Sequence, residues 1–106
     1  MMLLVTTNEI AGRKIVNVKG LVEGSTVKAK HVGRDIGASF KTLVGGEIKG
    51  YSDLMREARE KATERMIKEA KSLGANAIIG VRYQTSSIMQ SASEVIAYGT
   101  AVIVES

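Results

Sequence analysis

The chain predicts a small α+β domain: an antiparallel sheet with one long and one shorter helix packed on it, assembled as a ring-like homo-oligomer. Three observations carry this. Residues 53–73 read as one long amphipathic helix. The last third reads as a strand, Ala75–Tyr83, a polar loop, Thr85–Ser93, and a second strand, Val95–Val104. Those two strands hold small or apolar residues on both faces: Ala77, Ile79 and Val81 alternate with Ile78 and Gly80, and Ile96, Tyr98 and Val102 with Ala97, Ala101 and Ile103. An antiparallel strand with one wet face alternates apolar and polar residues. A chain of 106 residues has few elements with which to cover two faces, so self-association is the simplest cover.

Taken in order, Leu3–Thr7 is a short strand closed by Thr7 and Asn8. Lys14–Val22 is a second, rich in the β-favouring Ile15, Val16, Val18, Leu21 and Val22. Gly24 and Ser25 predict a turn, and Thr26–Lys30 a half-exposed strand. Ile36, Phe40, Leu43 and Val44 fall at helical spacing over Arg34–Val44, a helix weakened by Gly37 and ended by Gly45-Gly46.

The long helix is read over Asp53–Leu73. Ser52 is a suitable N-cap, and Asp53 places negative charge on the positive end of the dipole. Met55, Ala58, Ala62, Met66, Ala70 and Leu73 recur at the helical period, and Gly74 suits a left-handed cap. Three alanines at the centre of the stripe let the helix lie close to a sheet. The other face offers Glu57 with Lys61 and Glu64 with Lys68, four apart in the favourable order. A Met and Ala stripe of this kind is core rather than a cofactor site.

Composition narrows the chemistry. The length fits one domain, 1–106. With no cysteine there is no disulfide, no thiolate ligand and no thiol catalysis, which suits a reducing, cytoplasmic setting. No apolar run is long enough for a membrane span. The net charge of +4 lies wholly in the first half: residues 1–50 hold eight Lys or Arg against four acids, and residues 51–106 seven against seven. Lysines that discourage edge pairing explain such an excess, and so does an anion-attracting surface repeated around an oligomer. Aromatics at 4% offer little for base stacking, and no sequence-specific nucleic-acid partner is expected.

Catalytic patterns are missing. The lone histidine, His31, has no Gly-x-Ser-x-Gly partner, and Gly45-Gly46 with Gly50 lacks the spacing and trailing lysine of a phosphate-binding loop. One imidazole cannot make a zinc or copper site by itself. In the hairpin loop, Ile88 and Met89 stand among serines, threonine and glutamine, as an interface would place them or as side chains folded back on the subunit's own core.

The run Gly74-Ala-Asn-Ala-Ile-Ile-Gly80-Val, followed by Tyr98-Gly-Thr-Ala-Val102, resembles the uncharacterised YbjQ family. So do Thr6-Thr7-Asn8, Gly45-Gly46, the helix from Tyr51 to Leu73 with its Arg-x-x-Ala core, and the Ser86–Gln90 loop. The likeness runs the whole chain. It implies a small α+β fold assembled into pentamers, and the family carries a heavy-metal-binding label. A metal ion as cofactor is implied by that label alone. Many relatives have an acid after Gly-Val where this chain has Arg82, which favours an anion over a cation there. Arg34 and Arg82 are therefore the candidate anion contacts, with Asp35 positioning Arg34. The expected role is an oligomeric binding or assembly module holding a small anion or metal at subunit interfaces. An enzyme with an active site shared between subunits, and a purely structural partner-binding ring, are the alternatives.

Overall fold

The computed structural model describes residues 1–29, 46–89 and 92–106. They form β1 (Leu3–Leu4), β2 (Ile15–Ala29), α1 (Gly46–Ser72), β3 (Ala77–Met89) and β4 (Ala92–Val104). The strands make one sheet in the order β1-β3-β4-β2. β3 and β2 each run antiparallel to β4, while β1 lies parallel to β3. The sheet is thus mixed rather than antiparallel throughout, because the chain returns from β1 to β3 by way of the long helix, as parallel neighbours require.

Several boundaries differ from the sequence expectation, each for a physical reason. No turn forms at Gly24-Ser25: β2 runs unbroken across them, and Gly24 sits where the helix needs room. The helix starts earlier than Asp53 and spans 27 residues. The polar stretch Thr85–Ser93 supplies strand at both ends, because serine and threonine ladders pair as well as apolar ones once register is set by neighbouring strands. The expected helix at Arg34–Val44 lies outside the described residues.

One face of the sheet carries α1. Val22, Gly24 and Thr26 of β2 sit opposite Gly99, Ala97 and Val95 of β4, and this face packs on Ala58, Ala62, Met66 and Ala70. The helix lies over β2 and β4 and hardly touches β3. Leu73, expected in the stripe, is exposed; the helix has ended before it. Ala75 N–H reaches Ala70 C=O at 3.1 Å and Gly74 N–H reaches Lys71 C=O at 3.0 Å. With Gly74 at φ 83°, this is a Schellman cap, as the glycine predicts. The Ala62 methyl is fully buried against the sheet. Ala62→Leu is expected to cost roughly 1–3 kcal/mol through overpacking; an unchanged melting temperature would refute this contact.

Among the described residues, the opposite face is covered at one end. There Ala77, Val102 and Val104 are buried beneath Leu3, Ile10, Ile15 and Ile79. The N-terminal segment is held by Leu3 N–H on Asn76 O and Val5 N–H on Ile78 O. It also accepts from Val81 N–H at Val5 O and from Gly80 N–H at Thr7 O. Gly80, at φ 60°, and Val81 together stand opposite Gly99, a bulge that moves the register from Ile79↔Thr100 to Arg82↔Tyr98. On β2 this face is exposed along its length: Val18, opposite Val102, is 62% exposed and Leu21, opposite Thr100, 70%. Past the bulge, Val27 is 56% exposed and Ile96 and Tyr98 are half-buried. The radius of gyration is 17.2 Å, against about 13 Å for a compact domain of this length. Among the described residues, no helix is long and apolar enough to cross a membrane.

Candidate functional site

Because α1 lies over β2 and β4, a groove is left between its flank and β3. It measures about 520 Å³ and is lined by Arg56, Arg59, Glu60, Thr63, Glu64 and Tyr83. The helix sets the spacing: Arg56, Arg59 and Thr63 follow at three and four residues and so share one flank. The strand brings Tyr83, opposite Ala97, onto the helix-bearing face. The Thr63 hydroxyl donates to Arg59 C=O at 2.7 Å. Its only proton being used, it accepts from the Tyr83 phenol, 2.8 Å away. This bond fixes the ring as the floor of the groove.

Charges along the walls are mixed. Arg56 Nη1 lies 3.0 Å from Asp53 Oδ1, and Lys61 Nζ lies 3.6 Å from Glu64 Oε1. Both pairs are exposed, so each contributes little to stability. The arrangement offers guanidinium donors and a phenol to a polar ligand. It holds no nucleophile next to a base, so nothing in it specifies a reaction.

Of the residues singled out from sequence, Arg82 lies outside this groove. Arg82 Nη1 donates to Thr6 C=O at 3.0 Å and to Val81 C=O at 2.9 Å. Arg82 thus ties the N-terminal segment to β3 and joins two parts of the family pattern, Thr6-Thr7-Asn8 and Gly80-Val81. Arg34 and Asp35 lie outside the described residues. The groove residues were missed because the helix face that carries Glu64 reads as a run of exposed charge pairs. The available signal was Tyr83, the one aromatic residue of β3.

A small α+β unit with a mixed four-stranded sheet, one long helix and no catalytic constellation among its described residues defines a class of fold rather than an activity. The YbjQ family model, described as "Putative heavy-metal-binding", matches residues 2–105, and the chain belongs to that family. A UPF0145 protein of Halalkalibacterium halodurans is 60% identical over 104 residues, covering 98% of each chain. One of Clostridioides difficile is 57% identical over 104 residues, covering 98% of this chain and 93% of that one. The crystal structure of a Pediococcus pentosaceus protein with unknown function, of the DUF74 family, shares the fold with a TM-score of 0.61 at 23% identity, covering 98% of both chains.

The metal in the family's description does not fit the donor set of a single protomer. The sequence has no cysteine and one histidine. Among the described residues no three His, Cys, Asp or Glu side chains come together. Soft metals need thiolate or imidazole ligands, usually three or four. Zinc titrated into purified protein is therefore expected to bind tightly at well under one ion per chain, and His31→Ala to abolish any site built from several copies. One tight zinc per chain that survives His31→Ala would overturn this.

Proposed function

We propose that this protein is an oligomeric binding module: a cytoplasmic ring, of five subunits, that holds a small polar ligand at subunit interfaces. The observation that carries the ring is the set of exposed apolar residues Val18, Leu21 and Val27 on the far face of β2; Glu23 and Ser25 separate the last two on that strand, and Tyr98 and Ile96 of β4 stand beside the gap. Isolated exposed apolar residues are ordinary, but several gathered on one sheet face suit an interaction surface. The extended shape of the protomer supports the same reading. A small anion suits the chain better than a soft metal, since arginines are plentiful and soft ligands nearly absent. Arg56 and Arg59 in the groove, with Arg34 and Arg82, are the donors proposed for it.

An enzyme sharing its active site between subunits is the second reading. The groove favours it only so far as Tyr83 and Thr63 form a connected hydroxyl pair. Native mass spectrometry of untagged protein tests the first reading directly. A multiple of five subunits with a retained small anion is expected, and Leu21→Glu, which puts a charge among these apolar residues, should break the ring. A monomeric wild type at micromolar concentration would end the proposal.

A further inference from the structure

The hydrogen bonds beside Tyr83 give the groove a polarity. Thr63 gives its one hydroxyl proton to Arg59 C=O, and Tyr83 gives its phenol proton to Thr63. Both hydroxyls then turn only lone pairs to the groove. They accept from a cationic N–H group and have nothing to donate to an anion. Glu60 and Glu64 add acceptors to the same lining, and Arg56 and Arg59 add donors. Two cations and two anions leave the lining neutral in sum.

Pairing divides these four side chains. Arg56 is held by Asp53 and Glu64 by Lys61, and both partners lie outside the lining. Among the described residues, the side chains of Arg59 and Glu60 make no ion pair and no hydrogen bond. One unpaired cation and one unpaired anion thus follow each other in sequence, about 100° apart around the helix. Arg59 stands one turn before Thr63, in line with the hydroxyl pair. The Tyr83 ring, 47% exposed, offers its face to the same space. The volume of about 520 Å³ falls within the range of about 300–1,000 Å³ that small-molecule sites occupy.

We propose, resting on the reading of this groove as a site for the polar ligand, that it takes a small zwitterion of the free amino-acid class. The carboxylate sits on the Arg59 guanidinium, and the ammonium sits on Glu60 and the Tyr83 hydroxyl oxygen. A simple anion suits the groove less well. It would meet Glu60 and Glu64 as well as the arginines, and like charges repel. It would also face the lone pairs of the Tyr83 oxygen. A simple cation would leave Arg59 unmatched. A zwitterion answers both unpaired side chains at once. Its ammonium has three donors, enough for the phenol oxygen and a Glu60 oxygen together. Its carboxylate matches the planar fork of a guanidinium, and the ring face of Tyr83 attracts the cationic end.

Isothermal titration calorimetry of the full-length protein with free L-amino acids, one at a time, tests this. Acetate and methylammonium, which carry each charge alone, are the comparison probes. At least one amino acid is expected to bind, about tenfold or more tightly than either of these halves. Tyr83→Phe keeps the ring and removes the acceptor; Arg59→Gln and Glu60→Gln each remove one charge. All three positions are exposed, and circular dichroism checks that the variants fold. Each is expected to weaken binding by roughly tenfold or more, as the loss of a hydrogen bond to a charged group does. Lys71→Gln, in the last turn of the helix, should leave the affinity unchanged. Acetate binding as tightly as any amino acid would overturn the zwitterion and spare the small-anion reading. Amino-acid binding that survives all three substitutions would overturn its placement in this groove. Silence from every probe would overturn the inference and leave the ring to be judged by subunit number in native mass spectrometry.

Discussion

Gly24→Ala is expected to lower the melting temperature by about 4–24 °C. A Cβ added at Gly24 would fall on the Ala62 carbonyl oxygen and the Met66 amide nitrogen, and within 2.8 Å of Arg65 Cβ. Two of these obstacles are helix backbone, which cannot rotate away as a side-chain tip can. Either β2 or α1 must shift, and the Ala58, Ala62, Met66 contact shifts with it. Overpacking of this kind costs about 1–3 kcal/mol, and each kcal/mol is about 4–8 °C for a domain of this size. Gly50→Ala is the control. An added Cβ there meets nothing within 4 Å, and it lies inside α1, where alanine favours the helix by about 0.5–1 kcal/mol. Opposite signs for the two substitutions are expected in thermal melts. A Gly24→Ala protein that melts like the wild type would mean that helix and strand are not in close contact.

The second large effect is expected at Asn76. Its side chain acts as one more rung of the sheet: Nδ2 donates to Val104 C=O at 3.0 Å, and Oδ1 accepts from Val104 N–H at 2.8 Å. Its own N–H donates to Val102 C=O at 3.1 Å. Asn76→Asp keeps the acceptor but turns the donor into a second anionic oxygen facing a carbonyl. Loss of one bond and an unmet, partly buried acceptor together cost about 1–3 kcal/mol. Urea denaturation at neutral pH should show a lower midpoint at unchanged slope, with the extrapolated stability reduced by that amount. Equal stabilities for the two proteins would mean that the amide rung contributes nothing.

Much of the fold was legible because local chemistry and tertiary packing agree. Gly74 announced the helix end, and the alanine spacing announced the close helix–sheet contact. Gly24 misled because glycine serves two purposes. It was read for its backbone freedom, as a turn, when the chain uses it for its missing side chain. Thr85–Ser93 misled because polarity was taken for a loop, whereas strand pairing is decided by the partner. The candidate site was less legible. The flank of Arg56, Arg59 and Thr63 becomes a groove wall only because α1 sits off-centre on the sheet. That offset comes from which residues of β2 and β4 are small enough to receive the helix. Arg82, read as a candidate anion contact, also holds two carbonyls, a use that depends on the N-terminal segment lying alongside β3.

The extra residue at Gly80-Val81 acts as a phase change in the strand. Before it, even-numbered Ile78 lies under the helix and odd-numbered Ala77 and Ile79 on the far side; after it, odd-numbered Val81 and Tyr83 lie under the helix. Part of what reads as a strand apolar on both sides is one apolar side written in two frames. The hydroxyl pair between Tyr83 and Thr63 and the carbonyl grip of Arg82 both depend on that single shift. If the same residues were paired without that bulge, every side beyond it would be exchanged, sending Arg82 and Gln84 beneath the helix and the tyrosine out of the groove; deleting Val81 itself would leave Arg82 opposite Tyr98 and Tyr83 opposite Ala97.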